Sequence, residues 1–579
     1  MSVEGRSRAR EDCDLLVVGS GGGGLTAALM ARHLGLDVIV AEKEAVFGGA
    51  TARSGGWLWV PGNSLARSGG VEDGIDDALA YLRHEAGAYF NQMRAEAYLR
   101  AAPEMMDFVT AHSPVRFALF DGLPDYHPNA PGGSDTGRVV YTRAWDGRLL
   151  GDDLDRLRRP LRAMTAFGMQ IGNEDLSTFV TVGRKWSSFF RASRLLIANA
   201  IDRLRAGRAT RLTSGRALIG GLAQAAIAKG VRLWTDAPVR KLLSDDGRVT
   251  GAVIERGGCD VEIRVRCGVV LATGGFPHDS RLRDRLLGST MSDCATSAIA
   301  WSLLPYGNSG DGIRMAEAVG GRFDDRVIAP IAWSPVTRAV RDEGDLSPFP
   351  VFIQRAVPGQ ICVTRRGRRF ASEGSSYHDW GEALVRATAG EAESAAWFIC
   401  DSRALRRYGL GEVPAWPMPH GGFLRSGYLK TADTIRGLAE IAGIDPDGLA
   451  DTVERFNANA RAGHDPEFGR GDNPYDRVNG DPDHRPNPCL GPLDQPPFYA
   501  VKGAAGCGGT HAGLATDADA QVLDAAGAPI AGLYAVGNDA VAVTGGTIIA
   551  GGCTIGPAMT FGYLAARHAH RRGEAALRR

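Results

Sequence analysis

Gly19, Gly21 and Gly24 stand in the spacing G-x-G-x-x-G, between an apolar run, Asp14-Leu-Leu-Val-Val18, and a stretch of good helix formers, Leu25 to Leu34. A second apolar run, Asp37 to Ala41, ends on Glu42. Each part has a task in holding a dinucleotide. Gly19 permits a tight turn, Gly21 lets backbone approach a pyrophosphate, and Gly24 allows close helix packing. The N–H groups at the start of the helix face the phosphates. Glu42 stands where a carboxylate accepts hydrogen bonds from an adenosine ribose. A glycine-rich turn with no ligand would not need all five parts in this order.

The elements that must position this chemistry are those of an α/β chain. At 579 residues, 44% hydrophobic and 23% charged, there is room for more than one core. Lys+Arg and Asp+Glu are both 66, so no overall field draws in nucleic acid, which is excluded as a partner. Nine cysteines are scattered without metal-ligand spacing, which reads as reduced thiols in a cytoplasmic enzyme rather than a disulfide framework. The first residues, Met1 to Asp14, are polar and unlike a signal peptide, and no apolar stretch reaches the roughly 18 residues of a membrane span. Trp186 to Leu204 interleaves Phe189, Phe190, Leu195, Leu196 and Ile197 with Arg191, Arg194 and Arg203. That pattern suits either a buried or interface helix or a peripheral membrane contact.

Directly after Glu42 come Lys43, Gly48, Gly49, Thr51, Ser54, Gly55 and Gly56, a run of small residues against which a large flat ring could lie without a Cβ in the way. This segment resembles flavoproteins of the fumarate reductase and 3-ketosteroid dehydrogenase superfamily. The resemblance implies FAD, wrapped here along its pyrophosphate, ribityl chain and ring. With no histidine between His33 and His84, the FAD is expected to be non-covalent. Further matches are Val239, at the position whose backbone meets adenine, the Ala272-Thr273-Gly274-Gly275 turn, and Asp311 within Asn308–Gly312. Gly537 and Asn538 follow at a strand end, and Gly552, Thr554 and Ile555 open a last helix expected over Ala558 to Ala569. That helix start is implied to face the pyrimidine edge of the flavin.

The expected architecture is a discontinuous, Rossmann-like FAD-binding domain with an inserted α+β substrate-capping domain. The cofactor domain takes residues 1–322, with a helical insertion at about 155–215, and resumes at 466–579; the cap takes 323–465. Fumarate chemistry is excluded, because two carboxylates need buried cations. Glycines stand before Thr510-His511 where fumarate reductases have histidines, and no arginine precedes the last helix.

The 3-ketosteroid dehydrogenases are the better match. Leu123-Pro-Asp-Tyr126 to Arg138 resembles their Y-x-D-Y-x-P…G-G…G-R segment, and Pro358 to Tyr377 their P-G-S-I…G-R-R-F-x-N-E…Y. Pro497-Phe-Tyr499-Ala-Val-Lys-Gly503 and Thr554 to Tyr563 complete the likeness. The implied reaction takes a proton from the carbon alpha to a ring ketone and a hydride from the beta carbon. Tyr377 is the expected base, Tyr126 its hydrogen-bond donor, and Tyr499 with the N–H of Gly503 an oxyanion hole. His378 could tune or replace Tyr377, and His511 could add a polar contact. The segment Ala505-Gly-Cys-Gly-Gly-Thr510 departs from the steroid enzymes' P-G-D-L-G-T, so an FAD-dependent desaturase or enone reductase acting on a smaller cyclic ketone is the alternative. The expected partners are a hydrophobic ketone and an electron acceptor that the residues do not identify.

Overall fold

The computed structural model describes residues 9–166, 168–180, 186–287, 301–339, 348–352, 354–391 and 393–577. Its central sheet runs in the order Arg232–Trp234, Val38–Ala41, Ala9–Val18, Cys259–Leu271, Pro529–Ala535, Gln521–Leu523. The first five strands of that order pair in parallel. Strands buried on both faces must be apolar throughout, which is why Leu15 to Val18 and Val38 to Ala41 show no alternation. Alternate side chains serve opposite faces: Leu15 and Val17 enter one core, Cys13, Leu16 and Val18 the other. The strands Val239–Asp245 and Arg248–Arg256 continue antiparallel from Cys259–Leu271.

Two helices cover the first core where the chain ends meet. Gly22–His33 crosses the last helix, Ile555–Leu577, which is longer at both ends than the expected Ala558 to Ala569. The crossing is close because glycines face it: a Cβ on Gly562 would lie 2.3 Å from the Gly23 carbonyl oxygen.

A second, six-stranded sheet lies in the order Pro348–Pro350, Ile331–Arg338, Phe498–Thr510, Ala395–Asp401, Gln360–Val363, with Leu429–Ala432 also paired to Phe498–Thr510. The cap sheet therefore draws a central strand from beyond residue 465. The helix Tyr377–Ala387 packs on one face, with Trp380 stacked on Phe398 at 5.5 Å. Helices Ile435–Ala442 and Pro446–Ala462 cover the other. Beneath the loop that leads into Tyr377, the buried Glu373 carboxylate bridges Arg369 at 2.7 Å and Arg470 at 3.1 Å. Both cations are also bonded to backbone or a second carboxylate, which leaves Arg470 Nε, among the described residues, as the unpaired donor of this ionic knot.

The insertion contains the helices Asn173–Val180 and Trp186–Ala206. Only Ala192 and Asn199 of the second are buried, whereas Trp186 and Leu204 are 78% and 87% exposed. No helix among the described residues is long and apolar enough to cross a membrane. Eight cysteines are free thiols, and Cys294 lies outside the described residues.

Candidate active site

The Rossmann-type unit and the chain's return segment close around one cleft. Of the residues expected to bind cofactor, Gly19, Gly21, Gly24, Glu42, Lys43, Gly49, Thr51, Ser54, Val239, Ala272, Thr273, Gly274, Asp311, Gly537, Asn538, Thr554 and Ile555 line it. Gly48, Gly55, Gly56 and Gly552 do not. Gly56 and Gly552 pack against backbone, a Cβ on Gly56 lying 2.4 Å from the Ser214 carbonyl carbon and one on Gly552 2.5 Å from the Leu58 nitrogen, whereas Gly48 faces the Ala52 and Ile219 side chains and Gly55 the Trp57 indole.

The fingerprint glycines divide their tasks as their spacing implies. Gly19 has φ +105°, the turn conformation that L side chains avoid, and a Cβ on Gly24 would strike the Gly19 oxygen at 2.2 Å. Gly21 opens onto the cleft, where a Cβ meets only the Thr51 hydroxyl, at 3.8 Å. The helix after it starts with no side-chain cap and no acidic residue in its first turn. An uncapped N-terminus at an open glycine suits a pyrophosphate, so the residues fit FAD.

At the adenosine end Glu42 is buried and accepts bonds from the Ser20 hydroxyl at 2.5 Å and the Glu44 N–H at 3.0 Å. Burial pushes its carboxyl above the ordinary range, against the pull of those bonds. Lys43 closes this end with an ion pair to Asp311 at 2.5 Å. One residue escaped the sequence reading. Asp539, fully buried, accepts bonds from the Thr273 N–H at 2.5 Å, the Thr273 hydroxyl at 2.8 Å and the Gly275 N–H at 2.9 Å. It ties the Ala272–Gly275 turn to the return segment. Its place directly after Gly537-Asn538 was the available signal.

Tyr126 belongs to a loop held rigidly in the cofactor domain. Its neighbour Asp125 is buried and takes bonds from Trp59 Nε1 and Arg138 Nη1, both at 2.8 Å. The Tyr126 N–H and the Tyr81 hydroxyl both donate to the Ile549 carbonyl at 2.8 Å. Tyr377 comes from the cap, as the first residue of the helix that Ser376 caps. The loop before it is pinned by the buried Arg355, which donates to the carbonyls of Glu373 at 2.9 Å and Ser375 at 2.8 Å. Across the domain boundary the Tyr126 and Tyr377 rings meet edge to face at 5.6 Å.

A third phenol completes this cluster, and it is not the expected one. Tyr475 lies 4.4 Å from the Tyr126 ring, and Phe352 lies 4.7 Å from Tyr377. Among the described residues no ring contact joins Tyr499 to the pair. Its ring packs in the cap core near His420, at 6.1 Å. The cause is register: Tyr499 is a ladder residue between Cys400 and Thr431. Gly503 is likewise interior to the sheet, paired with both Thr337 and Ala396, and a Cβ there would lie 2.4 Å from the Phe398 ring. Tyr475 follows Asn473-Pro474 in the short helix Pro474–Val478, where nothing in the residue pattern connects it to Tyr126.

Burial raises the Tyr377 phenol well above 10, and hydrogen bonding to Tyr126 and the Arg355 charge pull the other way. Burial likewise raises Tyr126 well above 10 and Tyr475 to about 12. Neither histidine joins the cluster. His378 accepts a bond from the Trp333 N–H at 3.1 Å, and burial lowers its pKa to about 4. His511 bonds the Ala329 carbonyl at 3.1 Å and is lowered to about 3 by burial. His127, beside Tyr126, instead bridges the domains, with Nδ1 2.7 Å from Glu85 and Nε2 2.7 Å from Asp379.

Fold and cleft together define a flavoprotein dehydrogenase. The FAD binding domain family model matches residues 14–555. The chain belongs to that family and, within the fumarate reductase and succinate dehydrogenase flavoprotein superfamily, to the 3-ketosteroid dehydrogenases, FAD-dependent enzymes acting on CH–CH bonds. It is 40% identical over 560 residues to the 4-oxocyclohex-2-ene-1-carboxylate 5-dehydrogenase of Sinomonas cyclohexanicum, covering 96% of this chain and 93% of that one. It is 35% identical over 567 residues to a 3-oxosteroid 1-dehydrogenase of Mycolicibacterium smegmatis, covering 96% and 97%. Among solved structures it resembles the 3-ketosteroid Δ1-dehydrogenase of Sterolibacterium denitrificans in complex with 1,4-androstadiene-3,17-dione. The TM-score is 0.89 at 34% identity, covering 97% of this chain and all of the other.

Proposed function

We propose that the protein desaturates a ring ketone at its alpha and beta carbons, with Tyr377 as the proton acceptor. The observation that carries this is the Tyr126–Tyr377 contact across the two domains, beside the segment that runs from Ile549 through Cys553 to the cleft-lining Thr554. FAD bound non-covalently in the cleft supplies the two-electron acceptor for the beta hydrogen, which leaves as hydride. Tyr377 takes the alpha proton on its phenolate oxygen, and the Tyr126 hydroxyl stabilises that phenolate by a hydrogen bond. The carbonyl oxygen gathers charge as the alpha proton leaves and needs a donor close by. Tyr475, the phenol packed on Tyr126, takes that task in place of Tyr499 and Gly503. The buried aromatic walls exclude water, so the base and the nascent enolate are not solvated by competing donors.

The substrate favoured is a monocyclic ketone, with a 3-oxosteroid as the second reading. The first rests on the 40% identity to the cyclohexene carboxylate enzyme and on the glycine-rich Gly506 to Gly509 segment at the cleft. The second rests on the steroid enzymes at 34 and 35% identity. Purified holoenzyme with a dye acceptor, offered 4-oxocyclohexane derivatives and 4-ene-3-oxosteroids in parallel, tests both. Dye reduction by cyclohexanones at the higher kcat/KM is expected. Flavin that stays oxidised with every ketone would overturn the reading.

For the partner side, we propose that the helix Trp186–Ala206 rests on an anionic membrane surface from which an apolar ketone is drawn. Its exposed Trp186, Phe190, Ile197, Ile201 and Leu204 recur at helical spacing, with exposed Arg194 and Arg205 able to meet lipid headgroups.

A further inference from the structure

A buried cation with no hydrogen bond or ion pair to its guanidinium among the described residues stands beside the FAD cleft. Arg94 is the third residue of the helix Gln92–His112 and is only 4% exposed. Among the described residues no hydrogen bond or ion pair reaches its guanidinium, and its Nε is sealed from solvent with no partner. Its one close neighbour of note is the Phe561 ring, 5.0 Å away. Asp517 and Asp324 act on it only through space, and desolvation lowers its pKa to about 10. Two helices add to the positive potential there. The first turns of Gln92–His112 and of the last helix contain no acidic residue. An unpaired guanidinium at such a place is costly unless a negative charge answers it.

The surroundings say where that charge belongs. Arg94 lines a small cavity with Thr510, Thr544, Cys553 and Pro557, and this cavity shares the wall Gly537, Asn538, Thr554 and Ala558 with the FAD cleft. The fingerprint puts pyrophosphate at Gly21 and adenosine at Glu42 and Lys43. Arg94 therefore stands behind the wall of Gly537, Asn538, Thr554 and Ala558, where the last helix begins.

We propose that Arg94 is the electrostatic partner of reduced FAD. Hydride transfer adds two electrons and one hydrogen to the ring, leaving one net negative charge on its pyrimidine side, and this is the charge that the guanidinium answers. Arg94 thereby raises the oxidising strength of the bound cofactor without touching the ketone, so the inference stands or falls apart from the substrate reading.

The test uses holoenzyme without any ketone. The midpoint potential is read by stepwise reduction beside a reference dye, and sulfite affinity, which also places negative charge on the ring, by the bleaching of the flavin band. Arg94→Met is expected to move the midpoint to more negative values and to weaken sulfite binding by about tenfold or more. Arg94→Lys, which keeps the charge, is expected to stay within about threefold of the unmodified enzyme. An Arg94→Met protein with full FAD content and unchanged midpoint and sulfite affinity would overturn the proposal. Should that variant not retain FAD, unmodified holoenzyme is titrated with chloride against gluconate at constant ionic strength. A midpoint independent of chloride supports the pairing with flavin. A midpoint that falls and saturates with chloride shows a small anion as the occupant, and sinks it.

Discussion

At Tyr377 burial and two neighbours act in opposite directions on one phenol, and burial dominates. The base must lose its proton to work, so a phenol held above 10 leaves a deprotonated fraction that grows tenfold with each pH unit below that value. The logarithm of kcat/KM is therefore expected to climb with a slope of about one through the neutral and mildly alkaline range. Arg355→Met removes a downward pull and should displace that limb to higher pH, a pH–rate profile being the check. Tyr377→Phe should lower kcat by about 10² to 10⁴ while the flavin spectrum persists. Tyr499→Phe, whose ring packs in the cap core beside His420, should cost less than about threefold in kcat. If instead Tyr499→Phe were as damaging as Tyr377→Phe, the assignment of the carbonyl to Tyr475 would be wrong. At this scale the residues gave a mixed account. The motifs containing Tyr126 and Tyr377 could be read because each has several companions at set spacing. The motif around Tyr499 shares that appearance, yet its companions serve sheet pairing. Tyr475 has no companions at all, since its proximity to Tyr126 exists only after folding.

Elements explain why the two phenols meet. Tyr126 is fixed from the cofactor domain by Asp125, Arg138 and the Ile549 carbonyl, and Tyr377 from the cap by Ser376 and Arg355. Between them His127 links helix Ile75–Ala86, through Glu85, to helix Tyr377–Ala387, through Asp379. The bonds to the two carboxylates outweigh desolvation and raise its pKa to about 10. A raised pKa means that the charged form is favoured by folding. The bridge therefore stabilises fully below the unfolded value of about 6.5 and is lost as pH rises through about 10. The melting temperature of His127→Gln should lie below that of the unmodified protein at pH 6, and the gap should close above pH 10. Equal melting temperatures at pH 6 would show the bridge to be idle. Gly503→Ala bears on the sheet instead. The added methyl meets the Phe398 ring, and a loss of about 1–3 kcal/mol in denaturant unfolding is expected, with kcat little changed in what folds. Helix starts and parallel strands were legible because turn glycines and unbroken apolar runs have local causes. The ends of the last helix were not, since Ile555 to Pro557 and the residues after Ala569 could equally have been loop.

Across the whole molecule, the division into a cofactor unit and a cap was legible from where the nucleotide motifs stop and resume. That Phe498–Thr510 crosses into the cap sheet was not, because strand partners distant in sequence leave no mark in the strand itself. The insertion around 155–215 showed its helices and arginines, but not which side faces outward. Its exposed apolar stripe gives the prediction at this scale. The protein should co-sediment with phosphatidylglycerol vesicles at low salt, and replacement of Trp186, Phe190 and Leu204 by serine should abolish this without changing dye reduction by a water-soluble ketone. Binding that survives the triple replacement would point elsewhere. The ordering of the parallel sheet has one more consequence, for biosynthesis. Pro529–Ala535 fills the place beside Cys259–Leu271, and the last helix lies across Gly23. Until a ribosome has translated those late segments, the nascent chain offers an open edge and half a nucleotide pocket. Flavin uptake must be a finishing event, and a product clipped before Pro529 should be purified colourless.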